Sequence, residues 1–193
     1  MRVVNMVTGA AKGVGSAVGI RTGTEEPRYE VQATTHGLEV RRYGRRIAAE
    51  TTVHGDEERA RDVGFRRLAG YIFGSNRGKS TIAMTAPVSQ AGASDDSSVI
   101  RFFMPAKWAM EDLPDPEDRS VELVEIHDET MAVLQFSGDR SRAAVAERTA
   151  ELLRTLEATE WLATGPPVAW FYDPPWTVPF RRRNEVAVPV AAR

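Results

Sequence analysis

The feature that most constrains the fold is a strand–helix junction that occurs twice, 83 residues apart. The stretch Val53-His54-Gly55-Asp56 ends one alternating apolar segment, and Phe136-Ser137-Gly138-Asp139 ends another. A helical pattern follows each stretch. Glycine suits a sharp turn and aspartate suits a helix N-cap, so both stretches predict the same change from strand to helix. We therefore interpret the chain as two copies of a strand-helix-strand-strand unit.

Hydrophobic periodicity predicts the elements of both units. The first unit contains a hairpin over 29–43 with a turn at His36-Gly37, a strand over 47–53 and a helix after Asp56. It continues with a strand over 82–88 that Pro87 breaks, a loop over 91–98 and a strand over 99–104. The second contains a hairpin over 121–136, a helix over 141–158, and strands over 168–172 and 185–190. On the second helix, Ala146, Thr149, Ala150 and Leu153 are predicted to face inward, with Leu156 beside them. Each helix would cover a curved, mostly antiparallel sheet, which gives an α+β fold with pseudo-twofold character and a cleft between its halves.

The first 26 residues form a separate leader in this interpretation, and residues 27–193 form a single domain. Within the leader, Val7 to Gly15 matches the glycine-rich turn of short-chain dehydrogenases. That turn needs a helix after it to hold a pyrophosphate, but Gly19, Gly23 and Pro27 disfavour one. The Tyr-x-x-x-Lys pair of those enzymes is also missing from the sequence. We predict a flexible or weakly helical leader and no dinucleotide site.

Composition excludes several further classes of function. The formal net charge of −2 argues against bulk affinity for nucleic acid. The chain has no cysteine, which excludes disulfides, thiolate metal sites and cysteine nucleophiles. Because there is neither an apolar run long enough to span a membrane nor a secretory signal, we expect a cytoplasmic protein without a transmembrane segment.

The residues that could carry chemistry permit more than one interpretation. The three histidines lie in predicted turns, outside known catalytic motifs, and favour exposed surface over catalysis. Arginines cluster at 41–46 and 181–183, where they are either solvated or gathered around an anionic ligand. Methionines and aromatic residues of the later strands suit either an ordinary core or an adaptable pocket.

Two long motifs supply a resemblance to a known family. The stretch Ile82-Ala83-Met84-Thr85-Ala86-Pro87-Val88 resembles the M-T-x-P-V strand of the SOUL haem-binding protein family. The stretch from Tyr172 to Val186, YDPPWTVPFRRRNEV, resembles its Y-D-P-P…R-R-N-E-V carboxy-terminal segment. The resemblance runs from about residue 26 to residue 190. It implies a distorted β-barrel of eight or nine strands with two helices outside.

The resemblance also implies a function, namely a carrier or buffer of haem or another tetrapyrrole. The ligand would lie in an apolar groove beside the first helix. We expect the groove residues to be Phe65, Leu68, Ala69 and Ile72, with Met84 from the first motif and Arg42 on a propionate. Arg42 occupies the position where some members carry an axial histidine, so the nearest candidates for the haem iron are His36 and His54.

Two alternatives belong to other classes. The related gyrase-inhibitor-like fold binds small molecules, so the chain could be an effector-binding module with a flat ligand near Trp170, Trp176 and Glu185. It could also be a hydrolase that uses the same cleft, with Glu185 as general base.

Overall fold

The structure, a computed structural model, describes residues 24–93 and 96–193. The described chain forms strands β1 Tyr29–Thr35, β2 Leu38–Tyr43, β3 Arg46–His54, β4 Val88–Ala93, β5 Ser97–Phe103, β6 Glu122–Ile126, β7 Glu129–Phe136, β8 Trp161–Ala163, β9 Val168–Phe171 and β10 Asn184–Ala192. Helix α1 spans Glu57–Ile72 and helix α2 spans Arg142–Glu157. The glycine-rich stretch Val7–Gly15 of the predicted leader lies outside the described residues.

The strands form one antiparallel sheet in the order β1-β2-β7-β10-β9-β4-β5-β3-β6, with β8 beside β10. Strands β2 and β3 lie near opposite ends of this order, yet only Gly44 and Arg45 connect them. Strands β6 and β7 are likewise joined by two residues. Such short links require the sheet to curl until its ends approach each other, and an ion pair between Arg46 of β3 and Glu129 of β7 joins them. The α+β distorted barrel is therefore confirmed.

The pseudo-twofold arrangement is confirmed as well. In the first unit the strand order is β3-β5-β4, and in the second it is β7-β10-β9, with β4 and β9 paired at the seam. The two predicted junctions correspond: Gly55 has a φ of +107° and Gly138 a φ of +97°. Both values lie in the left-handed region that favours glycine, which explains the repeated residue.

The two helices begin differently after these junctions. The Asp56 carboxylate accepts the backbone N–H groups of Glu58 and Arg59, so α1 begins directly after it. In the second unit Ser141 is the N-cap, and its hydroxyl accepts the N–H of Ala144. Relative to the 83-residue offset of the repeat, α2 therefore begins two residues later than α1.

The predicted inner face of α2 is confirmed at Leu156 and wrong at Ala146, Ala150 and Leu153. Leu152 and Leu156 are buried against β10, whereas Leu153 is 37% exposed and Ala146 and Ala150 are exposed. The larger leucines bury more apolar surface than the alanines, and they decide which face turns inward.

Three strand predictions also need correction. The 121–136 segment is not a hairpin, because β6 pairs with β3 while β7 pairs with β2 and β10. The 82–88 segment is not a strand: Ala86–Pro87 is a cis peptide, and β4 begins only at Val88. The predicted 91–98 loop is mostly strand, since β4 and β5 remain paired as far as Ala93 and Ser97.

The core of the described residues consists of one cluster under each helix and a third that includes Tyr43, Met131 and Trp170. The cluster under α1 includes Leu68, Ile72, Ile100 and Phe102, and helix and sheet meet closely there. A Cβ added to Gly64 of α1 would lie 2.4 Å from Cγ1 of Ile100, so the contact requires glycine. In the described part of the chain, neither helix is long and apolar enough to cross a membrane.

Candidate functional site

An open cleft of about 530 Å³ lies at one end of the curled sheet. Its walls come from three segments: residues 25–28 before β1, residues 44–47 at the β2–β3 link, and residues 103–111 after β5. Glu25 holds the first segment in place, since its backbone carbonyl accepts the N–H of Ala86 and its carboxylate accepts the N–H of Ala106. The volume falls within the roughly 300–1,000 Å³ of small-molecule sites.

The floor of the cleft is apolar and aromatic. Ile47, Phe103, Met104 and Trp108 line it. Met104, Trp108 and Ile47 also pack against the core cluster under α1, so the floor is continuous with the core. A floor of aromatic and thioether groups suits the face of a flat, apolar ring system.

Two N–H donors in the cleft wall lack a partner. The side chain of Arg46 is only 9% exposed, and its Nε has no hydrogen-bond partner. The Nε1 of Trp108 is also buried and unpaired. Leaving a buried donor unsatisfied costs about 1–3 kcal/mol, so a ligand acceptor that reaches either group would recover part of that cost. Both nitrogens are covered from solvent, and a small shift of the side chain is needed to expose them.

The rim of the cleft carries both signs of charge. Its cations are Arg28, Arg45 and Arg46, and its acids are Glu25, Glu26, Glu111 and Glu125. Most are already engaged: Arg45 lies 3.5 Å from Glu125, and Glu26 lies 2.9 Å from Arg183. The rim is therefore close to neutral and suits an amphipathic ligand better than a highly charged one.

A buried charge network lies beneath the cleft. The Glu185 side chain has no exposed surface, and two arginines and a tyrosine donate to its carboxylate. Arg41 donates at 2.9 and 3.2 Å, Arg183 at 2.9 and 3.0 Å, and the Tyr172 hydroxyl at 2.8 Å. Buried charges are tolerated when they are paired and hydrogen-bonded in this way.

The pKa values of the network reflect burial and the shared carboxylate. Burial alone would lower the pKa of Arg41 and of Arg183. The hydrogen bonds and charge of Glu185 outweigh burial at Arg41, and the interactions with Tyr172 and Glu185 outweigh it at Arg183, so both pKa values are raised. Burial and the negative charge of Glu185 raise the pKa of Tyr172. Burial raises the pKa of neighbouring Tyr43 to about 12. Both arginines therefore stay charged and both tyrosines stay neutral at physiological pH.

A thin wall separates the network from the cleft. Between them lies a cavity of only about 10 Å³, lined in part by Pro27, Phe103, Trp170 and Tyr172. Such a space holds about one water molecule at most. This space is too small for an organic ligand, whereas the cleft at the barrel end is large enough for one.

The structure brings most of the predicted groove residues together, but inside the core. Leu68 and Ile72 are 0% and 1% exposed, and Ala69 and Met84 pack against the same cluster. Phe65 is 38% exposed and makes an edge-on contact with Phe102 at 5.2 Å. These side chains lie behind the floor of the cleft, which they support through Met104 and Trp108.

The other predicted residues lie elsewhere. Arg42 is exposed on β2, with Asp128 4.0 Å away. His36, in the β1–β2 turn, contacts Thr35, and His54 is exposed at the end of β3. Eight residues of strand separate His54 from Arg46, a span of roughly 26 Å. His127 lies nearer to the cleft, 3.8 Å from the rim residue Glu125.

The structure brings together only some of the residues proposed for the effector-binding module and for the hydrolase. Glu185 of β10 and Trp170 of β9 are directly paired across neighbouring strands. Trp176, by contrast, is 80% exposed. Because both oxygens of Glu185 already accept hydrogen bonds, this arrangement does not favour it as a general base.

Sequence reasoning does not single out Arg46 or Tyr172 as site residues, and it includes Trp108 only among the aromatic residues that suit either a pocket or an ordinary core. Arg46 was visible as part of an arginine cluster, but nothing local distinguishes it from Arg42. Alternation along β2 and β3 could have placed Arg41 inward and Arg42 outward, since successive side chains face opposite sides of a sheet.

A comparison with known protein families identifies the family of this chain. The SOUL heme-binding protein family matches residues 24–189. This chain belongs to that family. The match begins close to the predicted domain start and leaves out residues 1–23. No curated protein matches the chain.

Solved structures share the fold of this family member at low identity. The chain is similar to EcmrR in its complex with DNA (TM-score 0.63, 12% identity), covering 81% of this chain and 57% of EcmrR. The C-terminal domain of EcmrR alone matches with a TM-score of 0.60 and 11% identity, covering 86% of this chain and 99% of that domain. An uncharacterised conserved protein from Listeria innocua matches with a TM-score of 0.61 and 14% identity. The match covers 82% of this chain and 94% of the Listeria protein. At these identities the likeness concerns the fold alone.

Proposed function

We propose that this protein is a non-catalytic carrier or buffer of haem or another flat tetrapyrrole, held in the cleft at the barrel end. The observation that carries the proposal is the combination, in one cleft of about 530 Å³, of an apolar floor and unpaired N–H donors in its wall. Membership of a haem-binding family supports the same ligand class.

The chemistry of the cleft suits a porphyrin. Its face would lie against Phe103, Met104 and Trp108, and its carboxylates would point to Arg28 and Arg46. Arginine binds carboxylates through two parallel N–H groups and keeps its charge when partly buried. Such a ligand needs an apolar floor and only a few cations, which matches the nearly neutral rim.

The donor set for iron is limited. The described lining of the cleft includes the thioethers of Met104 and Met110 and no histidine. In the described residues, no group of three or more histidines and acids could hold a metal ion. Thioether sulfur can ligate haem iron, but binding would rest mainly on the ring and its carboxylates.

The residues predicted beside α1 provide a second location for the same ligand. Phe65 is its exposed member, and Arg42 would have to reach the ligand from β2. We favour the cleft because Leu68 and Ile72 are already covered in the core.

A hemin titration followed by Soret absorbance distinguishes these locations. Ala106→Trp fills the cleft at an exposed lining residue, and Ala146→Trp is the matched control on the outer face of α2. Phe65→Asp tests the α1 location. We expect saturable one-to-one binding to the wild type, loss in Ala106→Trp, and no change in the other two variants.

Two other results would change the conclusion. Loss of binding only in Phe65→Asp would place the ligand beside α1. A linear, unsaturable response of the wild type would overturn the haem proposal and favour a non-haem ligand of an effector-binding module.

A further inference from the structure

The β9–β10 connection has an inverted pattern of burial. Its polar residues Asp173 and Thr177 are 8% and 2% exposed, whereas Trp176 and Phe180 are 80% and 72% exposed. Val178 is 37% exposed. Apolar groups of this size are normally buried, and such a cluster at the surface marks an interaction site. We refer to residues 174–180 as the aromatic loop.

The aromatic loop is held rigidly in this conformation. The N–H of Thr177 donates to the carbonyl of Pro174 at 3.1 Å, and the Arg182 guanidinium donates to the carbonyls of Thr177 and Pro175, both at 2.8 Å. Its base is fixed by Gly138, whose N–H donates to the carbonyl of Pro179 at 2.9 Å. A preorganised loop presents its aromatic rings at little further cost in conformational entropy.

An exposed arginine lies beside the aromatic rings. Arg181 is exposed next to Phe180, with the guanidinium 5.8 Å from the ring centre, and the half-buried Arg182 follows it. The base of the loop carries charges of both signs, since the charge of Arg182 acts on both Arg140 and Asp139. The exposed cation closest to the aromatic tips is therefore Arg181.

The combination of aromatic tips and cations favours a lipid surface as the partner. Tryptophan is enriched at the membrane–water interface, and arginine is attracted to anionic headgroups. A second copy of the loop would bring like charges together. A protein partner needs about 800 Å² on each side, more than two aromatic rings and a few prolines provide.

We propose that the aromatic loop docks this protein on anionic membranes, with Trp176 and Phe180 inserted at the interface and Arg181 at the level of the phosphates. This is surface attachment by a loop. The inference does not depend on the ligand of the cleft. If that ligand is apolar, membrane attachment would hold the protein next to the lipid bilayer, in which apolar molecules dissolve.

Flotation of the full chain with lipid vesicles tests the proposal. One set of vesicles is phosphatidylcholine alone, and the other also contains phosphatidylglycerol. The test variant is Trp176→Ser with Phe180→Ser, and the matched control is Phe73→Ser, which removes an aromatic side chain that is 64% exposed at the end of α1. Circular dichroism verifies that every variant is folded.

We expect the wild type and Phe73→Ser to float with the anionic vesicles, and the double variant to lose about tenfold or more in partitioning. Arg181→Gln should weaken partitioning about fivefold, and added salt should weaken binding of the wild type.

Three results would overturn the proposal. The first is a wild type that fails to float with anionic vesicles, and the second is a double variant that floats as well as the control. The third is self-association of the wild type in solution that the double variant abolishes without any effect on flotation, which would make the loop an interface between protein copies.

Discussion

The buried network around Glu185 and the open cleft beside it both contain arginine, but they use it differently. In the network, both oxygens of Glu185 are satisfied by Arg41, Arg183 and Tyr172. In the cleft, Arg46 and Trp108 each keep an N–H donor without a partner. A cavity of about 10 Å³ separates the two regions. The paired charges of the network are satisfied within the protein, whereas the two cleft donors still have hydrogen-bonding capacity that a ligand could use.

The largest expected effect comes from breaking the network. Glu185→Gln removes the buried carboxylate that Arg41 and Arg183 share, and it leaves Arg41 with its half-exposed partner Glu39 and Arg183 with Glu26. Removing one partner of a buried ion pair costs about 3–5 kcal/mol, so we expect the free energy of unfolding to fall by that amount. Chemical denaturation measures it. Glu125→Gln, at the cleft rim, is the matched control and should change stability little.

A smaller effect should appear at alkaline pH. The pKa of Tyr43 is raised to about 12 in the folded protein, above the value near 10 of an unfolded chain. The folded state therefore holds this proton more tightly. The stabilisation is complete below about pH 10 and is lost as the pH rises toward 12, with a magnitude of order 2 kcal/mol.

Comparing the ultraviolet absorbance and the stability of the wild type with those of Tyr43→Phe, as a function of pH, isolates the titration of Tyr43. Absorbance of tyrosinate in the difference spectrum should rise near pH 12, and the alkaline loss of stability should become shallower in the variant. A transition near pH 10 in the difference spectrum would show that Tyr43 is not protected by burial.

Changes in the cleft should weaken ligand binding, and because Arg46 also forms the ion pair with Glu129, the stability of Arg46→Gln is measured beside its affinity. Arg46→Gln removes the cation and its unpaired Nε, so we expect hemin affinity to fall about tenfold, which corresponds to about 1.4 kcal/mol. Arg42→Gln is the control, since Arg42 is exposed and lies outside the cleft lining. If Arg42→Gln weakens binding and Arg46→Gln does not, the ligand lies beside α1.

The smallest effect concerns the second acid bound to Arg41. Glu39 accepts from Arg41 Nε at 2.8 Å, but its side chain is 42% exposed. An exposed pair contributes about 0–1 kcal/mol, so Glu39→Gln should reduce stability by less than 1 kcal/mol. A loss as large as that of Glu185→Gln would contradict the distinction between a buried and an exposed partner of the same guanidinium.

Much of the fold follows from local sequence, as the two junctions show. The glycines and aspartates before α1 and α2 identify the repeated unit because they specify a positive φ and a helix cap. The pairing of β6 with β3 did not follow, because it depends on how the whole sheet curls. Two adjacent strands joined by a short link read locally as a hairpin.

The site was harder to predict than the fold. The apolar face of α1 was recognised by its periodicity, but periodicity identifies a face that packs against something, and here Leu68 and Ile72 pack against the sheet. The cleft forms where residues 25–28, 44–47 and 103–111 meet. These segments are far apart in sequence, and none of them carries a motif.

One measurement tests the central claim most directly, namely that donors of the cleft bind the carboxylates of a flat ligand. Quenching of tryptophan fluorescence would compare protoporphyrin IX with its dimethyl ester, on the wild type and on Arg46→Gln. The account predicts that the free acid binds the wild type more tightly than the ester, and that this preference disappears in Arg46→Gln. Equal binding of acid and ester by the wild type, or a preference unchanged in the variant, would contradict it.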